Sequence, residues 1–292
     1  MRNLAIVADS TCDLEPSLLE GHALTVLPLT ITAADVDYLD GETIDVHDIY
    51  EYMRKGIVPK TAQIPYERTY TLFREFLEQG RDVIFISFSS EMSGGFQMAT
   101  IIARELQEEY PQRKIAVLDS RGGSGATGII VLQALKMAQK DCSFEAIVAE
   151  IAFMAEHVEH VFTLDDLEWL SKGGRIPKLV GLIGNRLGFH PILDVQEGRM
   201  TVCRMVRGTK HAIQNVADEI ILRAKKFPAQ LVAICHADNL PAAKTVETLV
   251  KEALPGCMTM LCHIGGGLAV HLGLKGIGAF CLSQKPPQYC LV

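Results

Sequence analysis

Length, composition and charge already exclude several classes of protein. The chain has 292 residues, more than one hydrophobic core usually supports, so two domains are expected. A hydrophobic content of 48% with 22% charged residues argues against extended disorder, and a net charge of -7 argues against a nucleic acid as the main partner.

The start of the chain resembles neither an export signal nor a membrane anchor. Residues 1–3 lead into an apolar run at 4–8 that is too short for a signal-peptide core and is followed by Asp9. No stretch approaches the roughly 18 to 20 uncharged apolar residues that cross a bilayer. We therefore expect a cytoplasmic protein.

The first half of the chain alternates short β-branched runs with longer amphipathic stretches, a pattern typical of a parallel sheet with crossover helices. Strands are predicted at 4–8, 24–31, 82–86 and 115–118, and helices at 46–55, 66–79, 93–110 and 124–139. Residues 1–160 are therefore predicted to form a doubly wound α/β domain.

The pattern changes near residue 160 and indicates a second α/β domain with a mixed sheet, residues 161–292. It predicts a strand at 160–164, a short helix at 165–170 and a hairpin of 190–196 with 199–205 around Glu197-Gly198. Helices at 209–226 and 240–252 and strands at 230–235, 257–262 and 277–282 complete it.

The eight cysteines are spread singly, without a Cys-x-x-Cys pair. They are expected to be buried thiols in a reducing compartment. Cys257, Cys262 and His263 lie close together in sequence, but a fourth ligand for a metal cannot be named. We predict no metal site and no cofactor.

Hydroxyls and glycines cluster where predicted strands end and helices begin, as in Asp9-Ser10-Thr11, Thr61-Ala62-Gln63 and Ser93-Gly94-Gly95. Such groups serve either as ordinary helix caps or, where several converge, as a site for an anion. Convergence at one edge of a parallel sheet favours a ligand with a small anionic end.

Motifs for catalysis are sparse. Residues 123–128 have the form of a dinucleotide fingerprint, but no acidic residue follows at the end of a next strand to hold a ribose. The sequence contains no Gly-x-Ser-x-Gly, His-Glu-x-x-His or Walker motif. His157 and His160, beside glutamates, are interpreted as a solvated helix end. We predict a protein that is not an enzyme.

Seven segments together resemble the DegV family, in order along the chain: 6–14 (IVADSTCDL), 38–41 (YLDG), 59–63 (PKTAQ), 86–99 (ISFSSEMSGGFQMA), 118–120 (LDS), 173–175 (GGR) and 190–193 (HPIL). The resemblance implies two α/β domains with a fatty acid held between them. It further implies that a separate fatty acid kinase phosphorylates the bound carboxylate. Transient contact with a membrane would accompany such a role.

Matching motifs assign roles to particular residues. The resemblance implies that Thr61, Ser93 and His271 bind the carboxylate, and Gly94 allows the backbone to approach it closely. It also associates Arg175 and Arg207 with the kinase step. Hydroxyl and imidazole donors suit a carboxylate without a permanent cation beside it.

Two alternatives remain open at this stage. One is an acyl transferase or hydrolase that uses Ser93, for which His271 is the base that the sequence offers. The other is a lipid-sensing regulator that never meets a kinase. The sequence does not specify the chain length or unsaturation of the ligand, the kinase, or the oligomeric state.

Overall fold

Strands and helices lie close to where the sequence pattern predicts them. The computed structural model describes residues 3–165, 167–175 and 188–292. The strands are β1 (Leu4–Asp9), β2 (Leu24–Leu27), β3 (Thr30–Ala33), β4 (Val36–Leu39), β5 (Lys60–Ala62), β6 (Asp82–Ser87), β7 (Ile115–Asp119), β8 (Val158–Thr163), β9 (Phe189–Gln196), β10 (Arg199–Arg207), β11 (Leu231–His236), β12 (Met258–His263) and β13 (Ile277–Leu282). The helices are α1 (Val46–Arg54), α2 (Tyr66–Glu78), α3 (Gly95–Glu109), α4 (Gly125–Gln139), α5 (Phe144–His157), α6 (Glu168–Gly173), α7 (Thr209–Ala224), α8 (Leu240–Ala253) and α9 (Gly266–Leu272).

The first sheet is parallel and has the strand order β2-β1-β6-β7. Helices cover both of its faces, which explains why β1 and β6 read as continuous apolar runs. On one face Val7 packs with Phe73 of α2 and Ile102 of α3. On the other face Ile6 belongs to a cluster that includes residues of α4 and α5. The predicted doubly wound sheet is confirmed.

The second sheet is mixed, with the order β10-β9-β8-β13-β11-β12. β11 and β12 pair in parallel, whereas the pairs β10–β9, β9–β8, β8–β13 and β13–β11 are antiparallel. Helices α7 and α8 cover one face through an aliphatic cluster around Val216, Val246 and Ile234. The predicted mixed sheet and its hairpin are therefore confirmed.

Helix α4 packs between the two sheets. Twelve of its 15 residues are buried, and it contacts β1 and β6 of the first sheet and β8, β11 and β13 of the second. A helix that is apolar on every side must be covered on every side. The same hydrophobic cluster accordingly contains Ile6 of β1 and Phe280 of β13. The division into domains at residue 160 stays a prediction, because the two sheets share this core.

Several elements differ from the sequence prediction, which includes neither of the short strands β4 and β5. The strand predicted at 24–31 is two strands in different sheets: β2 joins the parallel sheet, and β3 lies between β4 and β5 in a three-stranded antiparallel sheet. Pro28 separates them because it has no N–H to donate to a ladder. The helix predicted at 165–170 begins at Glu168 instead, and Asp166 lies outside the described residues. Helix α9 was not predicted.

Gly125, the first residue of α4, lies close against the second sheet. A Cβ there would lie 2.6 Å from Cβ of Ala233 and 2.7 Å from Cδ2 of Phe280. We expect Gly125→Ala to lower the free energy of unfolding by about 1 to 3 kcal/mol, because overpacking exceeds the gain of up to about 1 kcal/mol in helix propensity. Urea unfolding at pH 7 measures the change.

Gly256→Ala is the matched control. A Cβ at Gly256 would meet only Cβ of Ala229, at 3.9 Å. Its stability should remain within about 0.5 kcal/mol of wild type. Equal effects of the two substitutions would show that α4 does not pack this tightly against β11 and β13.

Candidate functional site

A cavity lies between the two sheets, beside the start of α4 and beneath α9. Its empty space amounts to about 750 Å³, including a part that is open to solvent. The lining comprises Thr11, Leu29, Thr61, Ala62, Gln63, Phe88, Met92, Ser93, Gly123, Ser124, His160, Phe162, Arg175, Val195, Met200, Gly267, Leu268, His271, Leu272 and Phe280.

Most of this lining is apolar. Phe88 follows β6, Phe162 lies on β8, Phe280 lies on β13 and Leu268 lies on α9, so four different elements contribute apolar wall. An alkyl chain gains about 0.8 kcal/mol for each methylene that it buries. The cavity is therefore suited to a ligand with a long apolar part.

Thr61 and His271 meet at one side of this cavity. Thr61 Oγ1 on β5 lies 2.7 Å from Nε2 of His271 on α9, although the two residues are 210 positions apart in sequence. The other ring nitrogen, Nδ1, has no hydrogen-bond partner among the described residues. A neutral imidazole and a hydroxyl carry one polar hydrogen each, and their mutual hydrogen bond uses one. The pair therefore retains one donor for a ligand.

The imidazole of His271 is neutral at physiological pH. Burial lowers its pKa from 6.5 to about 4, and the positive charge of Arg175 acts in the same direction. Gly173 makes room for this ring, since a Cβ there would lie 2.3 Å from His271 Nδ1. The Gly173-Gly174-Arg175 motif thus has a steric role beside His271 as well as a charge.

Ser93 lines the same cavity, and Gly94 follows it immediately before α3 begins. Ser93 is half-buried and its Oγ accepts a hydrogen bond of 3.4 Å from the Gly95 amide. A Cβ on Gly94 would lie 2.5 Å from Oε1 of Gln63, so glycine lets the segment after β5 approach the helix start. The partial positive charge at the N-terminus of this 15-residue helix favours an anion nearby.

The two predicted arginines are not equivalent. Arg175 lines the cavity and its side chain is exposed to solvent. Arg207 ends β10, is also exposed and does not line the cavity. The structure therefore brings Thr61, Ser93, Gly94, His271 and Arg175 to one region and leaves Arg207 on the surface.

Two buried carboxylates hold the loops around this region. Asp9 accepts hydrogen bonds from the Thr11 hydroxyl at 2.5 Å and from the Phe88 amide at 2.7 Å, which fixes the segment leading to Ser93. Asp40 accepts from the Ser10 hydroxyl at 2.8 Å and from the Gly267 amide at 3.1 Å. Burial raises the pKa of both carboxyls. These residues orient the site rather than line it.

His160 was interpreted wrongly from the sequence. It lies on β8, is 3% exposed and lines the cavity, whereas the sequence predicted a solvated helix end. The error arises because α5 ends at His157 and β8 starts at the next residue, without a loop to mark the change. Burial lowers the pKa of His160 to about 3, and Arg223 adds to that shift. The strand predicted at 160–164 already includes His160, and the period-2 spacing of Val158, His160 and Phe162 is the signal that extends it back to Val158.

Metal-binding groups and membrane-spanning helices are both absent from the described residues. Among the described residues, no three or more His, Cys, Asp and Glu side chains are arranged to hold a metal ion. None of the helices in the described part of the chain has the length and apolar character needed to cross a membrane.

Comparison with known proteins gives consistent matches over nearly the whole chain. A family model described as "Uncharacterised protein, DegV family" matches residues 3–284. A DegV domain-containing protein of Clostridium acetobutylicum is 32% identical over 287 residues, 97% of this chain and 100% of that protein. The fold of a fatty-acid-binding DegV family protein from Thermus thermophilus superposes with a TM-score of 0.87 at 27% identity, covering 97% of this chain and 100% of that one. The fatty acid kinase (Fak) B3 protein of Streptococcus pneumoniae, loaded with linoleic acid, shares the fold with a TM-score of 0.87 at 21% identity, again covering 97% and 100%.

The burial of His160 makes the stability of the folded protein depend on pH. Its pKa is lowered on folding from 6.5 to about 3, so its contribution is fully present above pH 6.5 and is lost as the pH falls. Between pH 7.5 and pH 5 the wild type should lose about 2 kcal/mol of unfolding free energy relative to His160→Phe. Urea unfolding at the two pH values measures this difference.

His211→Phe, at an exposed histidine of α7, is the control and should follow the wild type at both pH values. A constant difference between wild type and His160→Phe would mean that His160 is not buried as a neutral ring.

Proposed function

The chain belongs to the DegV family, and from this premise we propose that it binds a long-chain fatty acid in the cavity and presents the carboxylate to a separate fatty acid kinase for acyl-phosphate formation. One observation carries the proposal: Thr61 and His271 form a neutral donor pair at the side of a largely apolar cavity, with Ser93 on the same lining. The Thermus protein, which is described as binding a fatty acid, supports the ligand class.

The energetics of the cavity fit a fatty acid. A hydrogen bond to a charged group contributes roughly 1.5 to 3 kcal/mol, so a few donors fix the carboxylate without dominating the affinity. Most of the gross binding energy comes from the alkyl chain, at about 0.8 kcal/mol for each buried methylene. The hydroxyls and imidazole thus orient the ligand, and the apolar wall retains it.

The contacts favour a carrier over an acyl transferase or hydrolase. Such an enzyme needs a base that hydrogen-bonds to the nucleophilic hydroxyl. His271 is hydrogen-bonded to Thr61, and the hydroxyl of Ser93 instead accepts from the Gly95 amide. No Ser93–His271 hydrogen bond occurs among the described residues, so His271 does not serve as an activating base for Ser93.

Arg175 is the residue best placed for a phosphoryl-transfer step. Its guanidinium is exposed on the cavity lining and close enough to His271 to lower the pKa of that ring. A planar guanidinium pairs with phosphate oxygens in a two-pronged arrangement. Arg207, which lies on the surface, is proposed to contact the kinase. The kinase and its ATP are part of the proposal, as is a cytoplasmic location.

The first test concerns the carboxylate donors. Thr61→Val and Ser93→Ala should each weaken binding by about 1 to 3 kcal/mol and leave the apolar wall intact. Ser93→Ala removes a hydroxyl donor, and Thr61→Val removes the hydroxyl that orients the His271 ring. Displacement of a fluorescent acyl ligand measures the affinity. Thr100→Val is the matched control, since its hydroxyl bonds to the Phe96 carbonyl within α3 and does not line the cavity. Wild-type affinity in both site variants would contradict the assignment.

The second test separates a kinase subunit from a regulator. Arg175→Ala and Arg207→Ala should retain bound fatty acid and lower the rate of acyl-phosphate formation at least about tenfold, or roughly 1.4 kcal/mol in the barrier. The assay combines the loaded protein with a bacterial fatty acid kinase and ATP, and lipid content is measured in parallel.

Arg204→Ala is the control for this test. Arg204 lies on the same strand as Arg207 but pairs with Glu219 at 3.0 Å, so its loss should leave the rate unchanged. Wild-type rates in both test variants would remove the kinase step from the proposal and leave fatty-acid binding standing.

A further inference from the structure

His160 is one of the residues that line the cavity, and the nitrogen atoms of its ring are buried. Neither of its ring nitrogens has a hydrogen-bond partner among the described residues, although the residue is only 3% exposed. A neutral imidazole carries one N–H donor and one acceptor nitrogen. Leaving such groups unpaired in a buried position is costly, so native structures usually pair them with protein, water or ligand.

The ring occupies a position that the surrounding residues leave open for it. A Cβ on Gly122 would lie 2.2 Å from Nε2, so glycine is required where the ring sits. Phe280 contacts the ring edge-on at 5.6 Å between centroids. Arg223 donates to the backbone carbonyl of His160 at 3.2 Å, and its charge helps to keep the imidazole neutral. The ring is thus held on the cavity wall by its neighbours.

His160 belongs to the more buried part of the cavity lining. Thr11, Ser124 and His160 are 1%, 5% and 3% exposed, whereas Thr61, Ser93 and His271 are half-buried and Arg175 is exposed. The Ser124 hydroxyl also lacks a hydrogen-bond partner of normal geometry among the described residues. It lies near Asp13, whose pKa is raised by burial, and it offsets part of that rise. The more buried residues of the lining therefore include polar groups besides Thr61, Ser93 and His271.

A hydrocarbon tail, saturated or unsaturated, has no oxygen or nitrogen that could form a hydrogen bond with the His160 ring or the Ser124 hydroxyl. An oxygen on the chain can form such a bond, because a hydroxyl can donate to one imidazole nitrogen or accept from the other, and a keto oxygen can accept from the N–H. We propose that the cavity takes an oxygenated fatty acid, with a hydroxyl or keto group on its alkyl chain that hydrogen-bonds to His160. This rests on the proposed function, since it concerns which fatty acid the same cavity selects.

The test compares stearic acid with monohydroxystearic acids whose hydroxyl moves stepwise along the chain, each as a competitor of one fluorescent acyl ligand. We expect at least one isomer to bind wild-type protein about tenfold more tightly than stearic acid, which is the worth of one added buried hydrogen bond. In His160→Phe, which keeps an aromatic ring and removes both nitrogens, the ratio should fall to about one. His211→Phe should keep the wild-type ratio.

The outcomes separate this inference from the proposed function. If stearic acid binds and no isomer binds better, the inference is wrong while the fatty-acid carrier stands. A preference that survives in His160→Phe would also overturn the assignment to His160. If neither class of acid binds, the proposed function fails and the inference fails with it. If His160→Phe does not fold, the comparison of stearic acid with its hydroxylated isomers on wild-type protein still tests the inference.

Discussion

The structure depends on the burial of α4 between two sheets. A helix without a polar face is stable only when both sides are covered, and here β1 and β6 cover one side while β8, β11 and β13 cover the other. Gly123 and Ser124, immediately before this helix, line the cavity together with Phe280 of β13. The packing of both sheets against α4 therefore also leaves a cavity beside the first turn of this helix.

Buried hydrogen bonds then set the positions of the polar groups around that space. Asp40 joins Ser10, just after β1, to the backbone of Gly267 at the start of α9, and α9 carries His271 to Thr61. Asp9 accepts a hydrogen bond from the Phe88 amide and so holds the loop after β6, which leads to Ser93. These interactions explain why Asp9-Ser10 and Asp40 belong to the motifs that resemble the DegV family although neither carboxylate lines the cavity. Removing one partner of such a buried pair would cost more than the bond itself contributes.

The sequence predicted the elements whose periodicity is strong and missed those that depend on tertiary contacts. The parallel strands β1, β6 and β7 were predicted because strands buried on both faces read as unbroken apolar runs. Helix α9 begins with glycines, which have poor helix propensity, and it forms where Gly266 lies so close to Ile31 that a Cβ would be 2.8 Å from Cδ1. Strand β5 has three residues, too few to show a period of two. The grouping of Thr61 and Ser93 with His271 came from family resemblance, because no local pattern connects residues more than 170 positions apart. For the same reason no local pattern predicted that His160 and Ser124 line the same cavity.

The central claim is that the cavity holds a fatty acid by its carboxylate, and the most direct measurement is the lipid content of the purified protein. Organic extraction followed by mass spectrometry, calibrated against protein concentration, gives the identity and stoichiometry of the bound molecule. The account predicts close to one fatty acid per chain, and a reduced amount in a Thr61→Val, Ser93→Ala double variant that remains folded. A folded protein that carries a nucleotide or another non-lipid ligand, and that fails to take up added fatty acid, would contradict it.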